Sequence, residues 1–490
     1  MTPTHPPIVI GIDVGTSGVR SVAATAEGEV LAEAREAISD LPTEGAAHEQ
    51  DATGWWKAVC NTIQELRRNL EPPGRWAHTA GIAVTSTSGS LVLTDAQGEP
   101  VRPAMLYDDG RPASVAAELN RRLPENAHVN ASFSLAKALW VRQQEPEVWE
   151  RASRISHPAD WLASKLTGQL GLCDYSNALK LGYDHEKGEW AAAVVIADIP
   201  AFMLPRIVAL GDQVGTVSAP AARQTGLPAG VPVLAGASDG LASLIGSGAS
   251  KAGHANTTLG TTLVWKVLTS HKPALGPGMY CHHLPNDMWV PGAASNTGPG
   301  SLQFDQAGVT PAEMDRSAAA YLPTSIQCYL LSSRGERFPF LNAQATSFFD
   351  GPPVSGAERH AAQLQSLACV ERWGFERLER CGGLVGKKVF SAGSAALSPV
   401  LAQLRANVLK RSVVRTANPT ASFGAAILAA RTTLFGGDLT AAMRSMTRIV
   451  ESYSPVPELL ERYERAYQQF RAACAAHGYD DREVEIAKAD

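Results

Sequence analysis

Two short turns rich in glycine and hydroxyl side chains, and one aspartate set between a strand and a helix, carry the residue types and spacings of this 490-residue chain that suit chemistry. Asp13-Val-Gly15-Thr16-Ser17-Gly18 puts a carboxylate just ahead of a turn whose amides and small hydroxyls are clear of bulky side chains. Such a turn wraps phosphate oxygens, and the carboxylate beside it suits a Mg2+ ion held through water, because that ion keeps much of its hydration shell. Gly, Ser and Asp also serve plain hairpin geometry, so this motif taken alone leaves both readings open. A second turn, Thr258-Leu-Gly260-Thr261-Thr262, shifts the balance, since two such cradles facing each other would grip a triphosphate from both sides. Arg20, just after the first turn, reads as an exposed hairpin arginine.

Asp239 lies in Gly236-Ala-Ser-Asp-Gly240, after the apolar run Val231-Pro-Val-Leu-Ala and before Leu241-Ala-Ser-Leu-Ile. A carboxylate there caps a helix by accepting backbone N–H groups. It also suits a general base for phosphoryl transfer, which needs a carboxylate within hydrogen-bond reach of the attacking hydroxyl. The positive end of a helix dipole would keep it ionised near neutral pH.

The elements that must hold these residues follow from periodicity. Ile8-Val-Ile-Gly-Ile-Asp, Val19-Arg-Ser-Val-Ala-Ala and Val30-Leu-Ala-Glu-Ala predict an antiparallel meander, with a helix over 52–66 and a buried strand over 80–86. His254-Ala-Asn-Thr-Thr-Leu, Gly260-Thr-Thr and Leu263-Val-Trp-Lys-Val repeat the strand, turn, strand arrangement about half a chain later, which suggests an internal duplication. Apolar residues at helical spacing from about 357 to 381 end at Gly382-Gly383, a C-terminal stop. Strands, then alternation with helices, predict α/β layers. With 45% hydrophobic and 19% charged residues, the chain exceeds what a single core serves, and we expect two domains, 1–242 and 243–490.

Composition excludes several classes. Lys+Arg 43 against Asp+Glu 48 leaves a net charge of −5, with no basic block for nucleic acid. No leader-like segment and no run of about 18 apolar residues is present, so no membrane partner and a cytoplasmic location are expected. Seven scattered cysteines, odd in number and without CxxC, fit reduced thiols and no metal site.

These motifs, in this order and over nearly the whole chain, resemble the FGGY carbohydrate kinases, which share the ATPase fold of actin. The resemblance implies an α/β chain of two actin-like, ribonuclease H-like domains with a cleft between them, a small-molecule sugar and ATP as ligands, Mg2+, and a monomer or homodimer. It makes Asp239 the catalytic base and Asp13 both the metal ligand and a sugar contact. It assigns Gly15, Thr16, Ser17, Gly18, Gly260, Thr261 and Thr262 to phosphate. Ala392-Gly393-Ser394-Ala-Ala-Leu397 stands where the family has a Gly-Gly-Gly-Ala adenosine loop; Gly393 and Ser394 are the nucleotide contacts, with Ser394 adding bulk and Leu397 removing a polar partner. Ser132-Phe-Ser-Leu-Ala-Lys137-Ala-Leu-Trp140 is similar to the Lys-x-x-Trp signature and reads as a helix packed beside the site. Thr420-Ala-Ser-Phe-Gly-Ala-Ala426 continues the family pattern and reads as the start of a helix packed through small residues.

Asp174-Tyr-Ser-Asn-Ala-Leu-Lys-Leu-Gly-Tyr183, Gly292-Ala-Ala-Ser-Asn-Thr-Gly298 and Ser333-Arg-Gly-Glu-Arg-Phe-Pro339 look like the plant and cyanobacterial xylulokinase-like branch, which implies phosphorylation of D-ribulose. In that branch the ketose meets residues that match Asp13, Ser88 of Thr85-Ser-Thr-Ser-Gly89, and Asp239. Ser88 equally reads as a turn hydroxyl. Asp109 and Arg111, in Leu106-Tyr-Asp-Asp-Gly-Arg111, read either as lining the sugar pocket or as a solvated loop pair. The alternatives are a xylulose or other polyol kinase and, in another class, a sugar- or nucleotide-binding regulatory protein with weak catalysis.

Overall fold

The computed structural model describes residues 5–72, 74–124, 127–285, 287–303, 309–353 and 355–480. They form two units. The first runs to Gly246 and takes in Thr420–Thr447; the second covers Ser247–Pro419 and resumes at Arg448. The sequence suggested a single cut after residue 242, whereas the chain crosses twice more, at 419/420 and 447/448. Among the described residues no helix is long and apolar enough to cross a membrane.

The first unit is built on a six-stranded sheet in the order Gln213–Thr216, Pro232–Leu234, Thr79–Ser86, Ile8–Gly15, Gly18–Thr25, Val30–Ala37. The expected meander is there: Ile8–Gly15 and Gly18–Thr25 pair antiparallel down to Gly15 opposite Gly18, which leaves Thr16-Ser17 as the turn. Ile8–Gly15 is parallel to Thr79–Ser86, which is parallel to Pro232–Leu234. The central strands are buried on both faces, which is why they read as unbroken apolar runs.

Helix Ala52–Leu70, capped by Asp51, lays Trp55, Val59, Ile63, Leu66 and Leu70 against the meander. Its spacing is the 3.6-residue period that the sequence displayed. Helix Ala421–Thr433, capped by Thr420, packs on strands Ile8–Gly15 and Thr79–Ser86. The approach demands glycine at position 11, where an added Cβ would lie 1.9 Å from the carbonyl oxygen of Ser422.

The second unit has a seven-stranded sheet: Met279–Leu284, Met288–Ala294, Leu263–Val267, Ala255–Leu259, Lys388–Ala392, Ser412–Thr416, Ile449–Tyr453. Ala255–Leu259 is antiparallel to Leu263–Val267 and parallel to Lys388–Ala392, itself parallel to Ser412–Thr416, with an antiparallel edge strand beyond. That repeats the order and directions of the first sheet, so the duplication seen in the turns extends to whole sheets. Helix Gly356–Arg380 covers the expected segment, and Gly382 leaves it at φ 93°. Behind this sheet, Arg405 and Glu371 form a bidentate pair at 2.6 and 2.7 Å, each 1% exposed. Glu371 also accepts the Thr257 hydroxyl at 2.6 Å and Arg405 donates to Ser391 Oγ at 2.6 Å, so the pair joins strands Ala255–Leu259 and Lys388–Ala392.

Candidate active site

In the first unit, Asp13, Ser88 and Asp239 come from, or just after, the C-terminal ends of three adjacent parallel strands: Ile8–Gly15, Thr79–Ser86 and Pro232–Leu234. In open α/β sheets that edge is where ligands bind, because the backbone leaves the sheet there and adjacent loops diverge. The Thr16-Ser17 turn lies at the same edge.

Asp13 is buried, and its carboxyl is pushed up to about 7 by burial first and by the charge of Asp239 second, with Arg20 acting in the opposite sense. Its Oδ1 has no hydrogen-bond partner. A buried carboxylate oxygen without a donor, beside a second carboxylate, fits a hydrated divalent cation, which would neutralise the repulsion. Asp239 opens helix Asp239–Ser247 and is half-buried, its Oδ1 accepting the Gly240 N–H at 2.6 Å. The helix start that suggested a cap is therefore present, and so is the neighbouring carboxylate that a cap alone does not explain. Arg20 is exposed, as expected.

Gln50 was not anticipated. Its Nε2 donates to the Thr16 carbonyl at 2.6 Å and to Asp40 Oδ1 at 2.7 Å, while its Oε1 accepts Trp55 Nε1–H at 2.7 Å, so it anchors the Thr16-Ser17 turn to the neighbouring helix. Ser88 is half-buried, and its carbonyl accepts Lys180 Nζ at 2.9 Å. In the sequence Lys180 is only one residue of the stretch 174–183; a contact across 92 residues carries no local signal.

Asp109 departs from the expectation. Its side chain has no exposure, and its oxygens accept the Arg111 N–H, the Arg111 guanidinium and the His48 N–H at 2.6 to 3.2 Å. Burial raises its carboxyl, but those donors outweigh burial and hold it below the usual carboxylate range. The carboxylate is thus turned inward to its own loop and is not part of a solvated pair. Arg111 also lies 4.5 Å over the Trp140 ring. Lys137 is fully buried and donates to the carbonyls of Tyr107 and Ala131 at 3.2 and 2.8 Å. Burial, then the charge of Lys180, brings its ammonium down to about 7. Lys137 and Trp140 therefore hold loop 106–111, consistent with the packing role read from the sequence.

In the second unit, Gly260-Thr261-Thr262 turns between Ala255–Leu259 and Leu263–Val267, with Thr261 exposed and Thr262 half-buried. Gly393 follows the adjacent parallel strand Lys388–Ala392. Its φ is 90°, and an added Cβ would sit 2.3 Å from the carbonyl oxygen of Leu259. The two expected nucleotide segments are therefore neighbours at one sheet edge. Ser394 and Leu397 are exposed at the two ends of a single 3-10 turn.

All seven cysteines are buried, and none is joined in a disulfide. The fold nonetheless gathers His157, Asp160 and Cys173, which sequence spacing did not suggest. Their donor atoms lie within 4.8 Å of one another, and His157 Nδ1 is 3.0 Å from Asp160 Oδ2.

Residues 8–246 match the FGGY family of carbohydrate kinases, N-terminal domain, and residues 255–433 match its C-terminal domain. Among curated proteins, a xylulose kinase of Lactococcus lactis is 27% identical, over 94% of this chain and 95% of that one. Among solved structures, a xylulose kinase from Rhodospirillum rubrum aligns with a TM-score of 0.86 and 26% identity, covering 96% of this chain and 99% of that one. A kinase from Brucella ovis aligns at 0.88 and 25%, covering 96% and 100%. The chain belongs to the FGGY family of carbohydrate kinases, enzymes that transfer a phosphoryl group from ATP, with Mg2+, to a sugar.

Proposed function

We propose that this kinase phosphorylates the terminal hydroxyl of a ketopentose, with D-ribulose as its acceptor. The observation that carries this reading is the pairing of Asp13 with Asp239 at the C-terminal edge of the first sheet, where Asp239 raises the carboxyl of Asp13. Asp239 takes the proton as the sugar oxygen bonds to the γ-phosphorus and the bond from phosphorus to the ADP oxygen breaks. Asp13 would hold Mg2+, which would supply positive charge to the phosphates. Ser88 and Asp13 orient the ketose, and the inward-turned Asp109 shapes the loop beside it rather than binding sugar. Within the second unit, Thr261, Thr262, Gly393 and Ser394 offer amides and hydroxyls to the nucleotide, and within the first unit Thr16 and Ser17 form a turn of the same chemistry.

D-Ribulose is favoured by the stretches 174–183, 292–298 and 333–339. D-Xylulose is the second reading, favoured by the xylulose kinases that this chain resembles at 26–27% identity. Coupled ADP release with D-ribulose, D-xylulose and a set of polyols at fixed ATP separates them: kcat/KM at least tenfold higher for D-ribulose supports the first, and the reverse order supports the second. A regulatory protein with weak catalysis is favoured only by the exposed Ser394 and Leu397. Sugar binding by calorimetry, with neither ATP binding nor turnover, would select it.

A further inference from the structure

We infer that Ser176, oriented by Asp174, is a positioning residue for Asp239, acting through the peptide bond between Ala237 and Ser238. This rests on the reading of Asp239 as the base. The carbonyl of that peptide accepts a hydrogen bond from Thr85 Oγ1. Its N–H donates to Ser176 Oγ at 2.9 Å. One rigid peptide plane is therefore held at both ends by side-chain hydroxyls; it ends at the Cα of Ser238, one residue before Asp239. Neither contact is a rung of the sheet, whose pairing between Pro232–Leu234 and Thr79–Ser86 stops at Leu234 opposite Ala83; beyond it Ser238 makes only an isolated bridge to Ser86.

A serine hydroxyl can point its proton in several directions, and Ser176 accepts the Ser238 N–H well only if the proton points elsewhere. Asp174 fixes that direction. Its Oδ1 accepts Ser176 Oγ–H at 2.5 Å, Ser176 N–H at 2.9 Å and Asn177 N–H at 3.1 Å, and its Oδ2 accepts Asn177 Nδ2–H at 2.7 Å. Asp174 is 2% exposed and Ser176 1%, so water does not compete. Strand Leu172–Asp174 pairs with Arg206–Val208 rather than with the sheet that carries Asp239. The clamp thus ties a separate layer of the unit to the catalytic turn, which has no ladder of its own.

The consequence is a rate effect with little binding effect. A base displaced by a fraction of an ångström leaves the sugar seated but lengthens the path of the proton, and such misplacement costs ten- to a hundredfold. Ser176→Ala and the isosteric Thr85→Val should each lower kcat at least tenfold, with the sugar affinity of each variant, measured by calorimetry, within threefold. Ser176→Thr, which keeps the hydroxyl, should recover most of the rate. The double variant Ser176→Ala/Thr85→Val should be no worse than tenfold below the poorer single variant, because both hydroxyls hold the same peptide.

An unchanged kcat in Ser176→Ala, or equal losses of kcat and sugar affinity, overturns the inference. If Ser176→Ala does not fold, Thr85→Val with unchanged kcat overturns it equally. Asp239→Asn run in parallel keeps the two readings apart: retained turnover there removes the base itself, while lost turnover beside an unaffected Ser176→Ala removes only the clamp.

Discussion

Asp13 lies close enough to Asp239 that the second carboxylate adds to burial in holding the Asp13 carboxyl at about 7. Two acids that repel each other in a water-poor corner cost stability unless something positive arrives between them. A cation carried in with a nucleotide would meet that need. The strain between the two residues is thus the electrostatic counterpart of the proposed reaction, and it sets the first prediction.

Asp13→Asn should stabilise the protein above neutral pH while abolishing activity. The folded state favours the protonated acid, so its contribution is fully present below the unfolded value of 3.8 and is lost as pH rises from there to about 7, above which nothing more is lost. The gap corresponds to about 4 kcal/mol at most. Denaturant unfolding at pH 8.5 should show the variant more stable than the parent, and the difference should vanish by pH 4. Mg2+ should raise the Tm of the parent at pH 8.5 and leave the variant unmoved; equal responses would refute the assignment of Asp13 to the metal.

Asp239→Asn should lower kcat by about 100- to 10,000-fold, the contribution expected of a general base. Sugar affinity by calorimetry should change little, because Asn keeps the shape and one acceptor. Turnover within tenfold of the parent in a coupled ADP assay would exclude Asp239 as the base.

Arg405→Met should destabilise the second unit by roughly 3–5 kcal/mol, since it strands the Glu371 carboxylate among buried neighbours. The loss should exceed that of Arg67→Met, whose partner Glu71 is exposed. Thermal unfolding of both variants checks the order, and equal shifts in Tm would refute it.

Gly393→Ala should weaken nucleotide binding more than sugar binding. A methyl at that φ, pressed on the Leu259 carbonyl, must push apart the two segments assigned to nucleotide. Calorimetry with a non-hydrolysable ATP analogue should show at least a tenfold loss of affinity, with the sugar Kd within twofold. An unchanged nucleotide Kd would exclude the loop from the site.

The sequence alone determined the features that a few adjacent residues decide. The Gly15-Thr16-Ser17-Gly18 and Gly260-Thr261-Thr262 turns, the start of a helix at Asp239 and the stop at Gly382 are legible because φ/ψ preference, capping and hydrophobic period act over one or two turns of chain. The repeated strand, turn, strand arrangement around each glycine-threonine bend was visible for the same reason, while its extension to whole sheets was not.

Only the tertiary structure decided which distant groups meet. It returned residues 420–447 to the first unit and seated Ser422 against Gly11. It turned Asp109 inward to Arg111 and brought Lys180 to the carbonyl of Ser88. It set Ser176 under the N–H of Ser238, across 62 residues of sequence. Hydrogen bonds and ion pairs depend on separations of about 3 Å, and between residues far apart in the chain those separations are fixed by how whole layers stack, a quantity that no local window of sequence encodes.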